Sequence, residues 1–178
     1  MDVRSAYLNG DLQETIYMRQ PEGFVQKGKE SLVLKLRKSL YGLKQAGRTW
    51  NTKMDSTLKS HDFTALDADQ CIYIRRQHSI FLLVSLYVDD LLIACNHLSE
   101  LKLFKQQLTS EFDMEDLGEA TFVLGIEIVR DRATRTLTIR QGAYTRALIS
   151  TVRNGGLPCC CSPNARGGEA EAVRWSSN

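Results

Sequence analysis

The sequence lacks any CxxC pair and any Cys/His run at metal-ligand spacing, so neither a zinc site nor a disulfide framework is supported. Its five cysteines are an odd number: Cys71 and Cys95 stand alone in apolar runs, and Cys159, Cys160 and Cys161 are consecutive. Such usage points to a reducing compartment. No apolar signal core follows Met1-Asp2-Val3-Arg4. The longest apolar stretch, Ile80 to Cys95, is broken by Asp89-Asp90 and falls short of the roughly 20 residues a membrane helix needs. The expectation is an intracellular chain, cytoplasmic or nuclear, with no membrane partner. Internal repeats are absent. Charge of one sign is absent too, since 23 basic and 21 acidic residues leave a formal +2. With 43% hydrophobic and 25% charged residues in 178, wholesale disorder and collagen-like or coiled-coil architectures are excluded.

The charge is unevenly placed. Residues 1–60 hold 11 basic against 6 acidic side chains, residues 61–125 hold 4 against 11, and residues 126–178 hold 8 against 4. An acidic middle between basic flanks suits a cation site inside a surface that meets a polyanion.

Residues 2–8 read as a strand running into a turn at Asn9-Gly10, followed by a loop-rich segment around Gln20–Phe24. Leu32, Leu34 and Leu36 alternate as in a half-buried strand. Trp50, Met54 and Leu58 fall on one face of a helix over 46–59. Ile72 and Ile74 lead into a central strand over 80–87, and 91–94 forms a second apolar arm. Leu98, Leu101, Phe104 or Lys105, Leu108 and Phe112 have helical spacing, with Asn96 or Ser99 as N-cap, and Gly118 ends that region. Residues 122–129 and 136–140 read as a hairpin around Asp131–Thr134, and 143–149 as the start of a helix. This order implies an α+β fold, an antiparallel sheet with helices on one face. From Thr151 to Asn178 no apolar period remains and disorder is expected.

The strongest local feature is FLLVSLYVDDLLIA, residues 81–94. Two carboxylates between apolar arms must be paired, solvated or cation-bound. Asp89-Asp90 is therefore either a solvated hairpin tip or one edge of a metal site. If the strand carrying Asp2 is a neighbour, three carboxylates converge. Three suit two Mg²⁺ ions about 3.5–4 Å apart, the arrangement that assists phosphoryl displacement.

Four ordered blocks, MDVRSAYLNGDLQETIYMRQPEGF, LVLKLRKSLYGLKQAGRTW, LLVSLYVDDLLIAC and FDMEDLGEATFVLGIEIVRD, closely resemble the reverse transcriptase of Ty1/copia-type retrotransposon Pol polyproteins. The likeness covers about residues 1–150. It implies a polymerase palm with a hairpin and the start of a thumb, the fingers largely missing. It implies that Asp2, Asp89 and Asp90 bind two Mg²⁺, with Mn²⁺ as a substitute, and promote attack of a primer 3′-hydroxyl on the α-phosphate of a deoxynucleoside triphosphate. Tyr7 matches the aromatic under the sugar that leaves no room for a 2′-hydroxyl; alone it reads as an ordinary strand aromatic. Tyr41, Gly42 and Tyr87 match nucleotide-contacting positions. Lys44 and Arg48 would meet phosphates of an RNA or DNA template and its primer. Without the motif, the basic run from Lys27 to Arg48 is a solvated face. Leu124-Gly125-Ile126-Glu127 resembles the primer-grip hairpin, otherwise a plain amphipathic turn. Arg130, Arg132, Arg135, Arg140 and Arg146 fit further phosphate contacts. The resemblance also places the chain in a cytoplasmic virus-like particle or the nucleus.

Two positions depart from the family pattern: Gly47 replaces a usual proline, and Glu115 a common lysine. Basic finger elements would precede Asp2, and Asp2 itself is expected to fray. The composition change near Ser150 suggests read-through in a shifted frame, so a partial element, inactive when isolated, is expected. Two other readings use similar residues: a non-catalytic nucleic-acid-binding remnant and a carboxylate-rich nuclease. The second leaves Tyr7 and Gly42 without a task.

Overall fold

The computed structural model describes residues 1–154 and the strand Val173–Arg174. In chain order the strands are β1 (Asp2–Val3), β2 (Tyr17–Arg19), β3 (Val33–Lys35), β4 (Thr64–Ala65), β5 (Ile72–Gln77), β6 (Ile80–Tyr87), β7 (Asp90–Cys95), β8 (Met114–Glu115), β9 (Phe122–Val123), β10 (Ile126–Asp131), β11 (Thr136–Arg140) and β12 (Val173–Arg174). The helices are α1 (Ala46–Ser60), α2 (Leu98–Glu111) and α3 (Gly142–Asn154). The chain divides into two units, Met1–Leu117 and Gly118–Asn178.

In the first unit six strands form one sheet in the order β4-β5-β6-β7-β1-β8, and every pairing is antiparallel. Side chains alternate between faces along a strand, so register fixes which residues share a side. Leu82, Val84 and Leu86 are buried at two-residue spacing, and Tyr73 and Leu91 face Val84 and Leu86 across the sheet. Trp50, Met54 and Leu58 from α1 and Phe104 and Leu108 from α2 join the same cluster. Both helices therefore cover one face, as expected. The 3.6-residue period of α1 carries over directly, because apolar residues four apart stack on one stripe.

Local readings differ where tertiary bonds outweigh pattern. The first strand is only two residues long. Ser5 adopts φ 55°, and Ala6–Asn9 form a 3₁₀ turn closed by Leu8 N–H to Ser5 O and Gly10 N–H to Tyr7 O. Leu32–Leu36 is not half-buried along its length: β3 pairs with β2 as a separate two-stranded ribbon, and Leu32, Val33 and Leu34 are all exposed. His97, not Asn96 or Ser99, occupies the N-cap of α2. Asn96 instead accepts from Phe81 N–H and donates to Ser79 O, tying the start of β6. Of the two candidates at that turn of α2, Phe104 is buried, while Lys105 pairs with Asp116 at 2.8 Å.

The second unit carries a sheet in the order β12-β11-β10-β9. The 122–129 run is two strands rather than one, cut by Leu124-Gly125, both at positive φ, with Val123 facing Ile126. The β10–β11 hairpin forms where expected. Of the stretch after Ser150, Thr151–Asn154 continue α3; apart from β12, the remainder of the expected disordered tail lies outside the described residues. Among the described residues no helix is long and apolar enough to cross a membrane.

Candidate active site

The site grows from the turn between β6 and β7. Tyr87 pairs with Asp90, so Val88 and Asp89 are the two central residues of a hairpin turn. Val88 has φ 53°. A positive φ in a β-branched residue is a genuine outlier, since the left-handed region crowds Cβ against the carbonyl. Two bonds hold the turn in this state. The buried Trp50 ring of α1 donates Nε1–H to Val88 O at 2.7 Å, and Val3 N–H donates to Asp89 O at 2.8 Å. Trp50 is itself wedged edge-on against Phe112 at 5.4 Å. Trp50 reads from its spacing as core alone; its indole also fixes the turn.

The strand carrying Asp2 is paired on both sides. It lies between β7 and β8, with Leu91 N–H donating to Met1 O at 2.8 Å and Arg4 N–H to Asp113 O at 2.9 Å, and Val3 is 1% exposed. Asp2 faces Asp90 on one side and Glu115 on the other. Tyr87, Asp90, Asp2 and Glu115 thus share the sheet face opposite Leu86 and Leu91. Arg4 meets Glu115 at 3.3 Å.

Asp89 is partly buried, and burial pushes its carboxyl above the usual range. The Tyr41 hydrogen bond opposes that rise, and the charges of Asp2 and Asp90 add to it. Asp89 therefore feels the charges of the other two carboxylates. Their oxygens are the hard donors that suit Mg²⁺ or Mn²⁺. Among the described residues, however, no three His, Cys, Asp or Glu side chains are gathered closely enough to hold a metal ion as they stand.

Tyr41 and Tyr7 complete the arrangement. The Tyr41 hydroxyl donates to Asp89 at 3.2 Å from each carboxylate oxygen, and the two tyrosine rings lie 4.4 Å apart at 44°. Burial first, then the Asp89 charge, raises the Tyr41 phenol above its ordinary value. The residues are 48 apart in sequence, and no local pattern announces the contact. Gly42 has φ +92°, a conformation that only glycine adopts without strain. Lys44 and Arg48 are exposed around the start of α1. In the basic run, Lys38 is engaged by Asp11.

Leu124 and Gly125 make the tight turn between β9 and β10, and Ile126 and Glu127 open β10. Of the arginines there, Arg130 and Arg132 approach Glu119 at 3.9 and 2.9 Å, and Arg140 faces Glu127 across the β10–β11 pair.

Comparison with known proteins fits these motifs. Residues 1–164 match the model of the family described as reverse transcriptase (RNA-dependent DNA polymerase), which extends past Ser150. The chain is 45% identical over 150 residues to a retrovirus-related Pol polyprotein from transposon TNT 1-94 of Nicotiana tabacum, covering 84% of the chain and 11% of that protein. It is 38% identical over 166 residues to a putative transposon Ty5-1 protein of Saccharomyces cerevisiae, covering 91% and 54%. To a retrovirus-related Pol polyprotein from transposon RE2 of Arabidopsis thaliana it is 32% identical, covering 92% and 11%. The chain thus spans between about a tenth and about half of these relatives' length. No solved structure matches it. With nearly the whole described chain inside the family match and three transposon proteins aligned along it, the chain belongs to the reverse transcriptase (RNA-dependent DNA polymerase) family, as part of a copia-type retrotransposon Pol protein.

Proposed function

We propose that this chain carries the carboxylate centre of an RNA-directed DNA polymerase, the palm and the start of the thumb of a copia-type Pol protein. One observation supports it above all: Asp2 sits in register with Asp90, while Val3, its neighbour, bonds the backbone of Asp89. Asp2, Asp89 and Asp90 would hold two divalent cations, Mg²⁺ or Mn²⁺. Such ions supply Lewis-acid stabilisation of the phosphoryl oxygens and of the attacking and leaving oxygens.

The chain's own residues do the rest. Tyr7 supplies a rigid ring beneath the sugar of an incoming deoxynucleoside triphosphate, where a 2′-hydroxyl would collide. Tyr41 and Gly42 border the same nucleotide, the glycine allowing close backbone approach. Tyr87 shares the face of Asp2 and Asp90 and contacts the incoming nucleotide. Lys44 and Arg48 contact phosphates of the RNA or DNA template–primer. Leu124-Gly125-Ile126-Glu127 forms a primer-positioning turn. Residues 1–150 then constitute the polymerase part.

Primer extension on an RNA template with Mg²⁺ tests this reading. Extension by the isolated chain is weak, and it is abolished in Asp89→Asn and Asp2→Asn while primer–template binding persists. Extension that survives Asp89→Asn, or cleavage without synthesis, contradicts it. A second reading, a non-catalytic nucleic-acid-binding remnant, draws support from the carboxylates not being gathered into a ready metal site. It predicts salt-dependent primer–template binding, unchanged in Asp89→Asn, with no extension under any divalent cation.

A further inference from the structure

We propose that the β2–β3 ribbon is a binding site for single-stranded nucleic acid, in which Tyr17 stacks on a base while Arg19 and Lys35 hold the phosphates beside it. The register puts these side chains together. Tyr17 pairs with Lys35 and Arg19 with Val33, so all four stand on one face of the ribbon, and each is exposed. Directly opposite residues of an antiparallel pair have Cβ atoms about 4.5–5.5 Å apart, which sets Lys35 beside the Tyr17 ring, and Arg19 follows two residues along on the same side. The Tyr17 ring itself is 61% exposed. No core claims the ribbon: Val33 and Leu34 are exposed as well, and two strands alone are marginal without cover. The site lies apart from the carboxylate centre and needs no cation.

Charge selects the occupant. Residues 17–37 hold five basic side chains, Arg19, Lys27, Lys29, Lys35 and Arg37, against Glu22 and Glu30. Glu30 is spent within the loop, its carboxylate accepting the Gly28 N–H at 2.7 Å. Among the described residues none of the five cations is in an ion pair, whereas the neighbouring Lys38 is held by Asp11. A face of unpaired cations fits a polyanion. The exposed rings narrow it to a single strand. In a duplex the bases already stack on one another, so an aromatic ring meets their faces only at an end, whereas unpaired bases offer every π-face to it. A second ring, Phe24, is 82% exposed in the loop between β2 and β3, close in sequence to Lys27 and Lys29. That loop is braced: the Gln20 amide donates to Lys29 O and Leu32 O and accepts from Gln26 N–H, and Phe24 N–H donates to Pro21 O. The base of the ribbon is anchored too, where Ser39 N–H donates to Gly10 O and Lys38 pairs with Asp11. Gly10 caps the 3₁₀ turn that carries Tyr7, so the ribbon springs from beside a residue assigned above to the nucleotide.

The test is fluorescence anisotropy of labelled oligothymidylate and oligouridylate, each of about 12 nucleotides, titrated with the full chain in EDTA. A blunt duplex of the same length is the comparison. The native chain binds a single strand more tightly than the duplex. Tyr17→Ala weakens single-strand binding at least about fivefold, Tyr17→Phe, which keeps the ring, does not, and duplex binding changes less than about twofold in either. Arg19→Gln and Lys35→Gln each flatten the slope of log affinity against log salt by about 0.7. The substituted side chains are exposed, so circular dichroism and melting of the variants match the native chain. Binding of either oligonucleotide with these losses supports the site, and the tighter arm identifies its strand. Single-strand binding unmoved by Tyr17→Ala and Lys35→Gln but lost in Lys44→Gln overturns the ribbon and leaves the template–primer contacts standing. Binding of neither oligonucleotide overturns it as well, and leaves the ribbon face to a protein partner. Because the titration holds no divalent cation, its outcome is separate from that of primer extension.

Discussion

Glycine at position 88 is expected to give a more stable protein than alanine, the reverse of the usual order. Val88 holds φ 53° at the turn that presents Asp89. On ordinary extended or helical backbone, glycine is less stable than alanine by about 0.5–1 kcal/mol, because it loses more freedom on folding. In the left-handed region an L-residue with a Cβ carries a cost of roughly 1–2 kcal/mol that glycine does not. Both substitutions remove the same valine methyls from a site that is 39% exposed, so the lost packing cancels in the comparison. The net is Val88→Gly ahead of Val88→Ala by about 0.5–1 kcal/mol. Urea denaturation reads this as a midpoint higher by a few tenths of a molar, for a slope of about 1–3 kcal/mol/M. Ser85, on the extended backbone of β6, is the internal control. There alanine is ahead of glycine. The reasoning is refuted if Val88→Ala equals or exceeds Val88→Gly, or if the two sites give the same order.

Further consequences follow from close packing, polar satisfaction and turn electrostatics. A Cβ at Gly10 would lie 2.6 Å from Thr49 Oγ1 and 3.2 Å from the Thr49 backbone carbon, so Gly10→Ala costs about 1–3 kcal/mol; at Gly47 the nearest atom is the Tyr7 hydroxyl at 3.8 Å, and Gly47→Ala adds about 0.5–1 kcal/mol. Chemical denaturation of the two variants shows opposite shifts. The Ser39 hydroxyl is fully buried and finds no hydrogen-bond partner among the described residues, so Ser39→Ala is neutral or stabilising by up to about 1 kcal/mol, and a loss larger than that in calorimetric melting contradicts the assignment. Asp131 accepts from the Thr134 side chain and from the Thr134 and Ala133 N–H groups, which hold its carboxyl below the usual 3.8. A lowered folded value means that its support for the β10–β11 hairpin is complete above the ordinary aspartate range and is lost as pH falls through the folded value. Proton exchange of the hairpin amides shows that loss in the native chain, and Asp131→Asn is weaker at neutral pH but flat across the acid range.

Some of this was legible in the residues and some was not, for identifiable reasons. The spacing of Trp50, Met54 and Leu58 and the apolar arms around Asp89-Asp90 carry strong periods, and α1, β6 and β7 follow them. The turn of Asp131–Thr134 is written in local chemistry as well. Tyr7 reads as part of a strand running to the Asn9-Gly10 turn, yet the left-handed Ser5 diverts the chain into a 3₁₀ turn. Leu32–Leu36 alternates as a half-buried strand does, but among the described residues its sheet partner is β2 alone, so pairing forms without burial. Asn96 looks like a cap and is instead spent on the start of β6. The site itself divides the same way. Its carboxylates stand out by their cost between apolar arms, whereas the Tyr41–Asp89 and Trp50–Val88 bonds join residues 48 and 38 apart and exist only once the sheet and α1 are assembled.

That Asp2, Asp89 and Asp90 form one cation-binding centre stands or falls on thermal unfolding with and without Mg²⁺, in the native chain and in Asp2→Asn, Asp89→Asn and Asp90→Asn. At a Mg²⁺ concentration near a hundred times its dissociation constant, binding to the folded state adds about 2.7 kcal/mol. For a chain of this size that raises the melting temperature by roughly 5–10 °C. Each single variant is expected to lose most of the rise, because each removes one of three carboxylates acting on the same ions. A Mg²⁺-induced rise that is equal in the native chain and all three variants would contradict a shared centre.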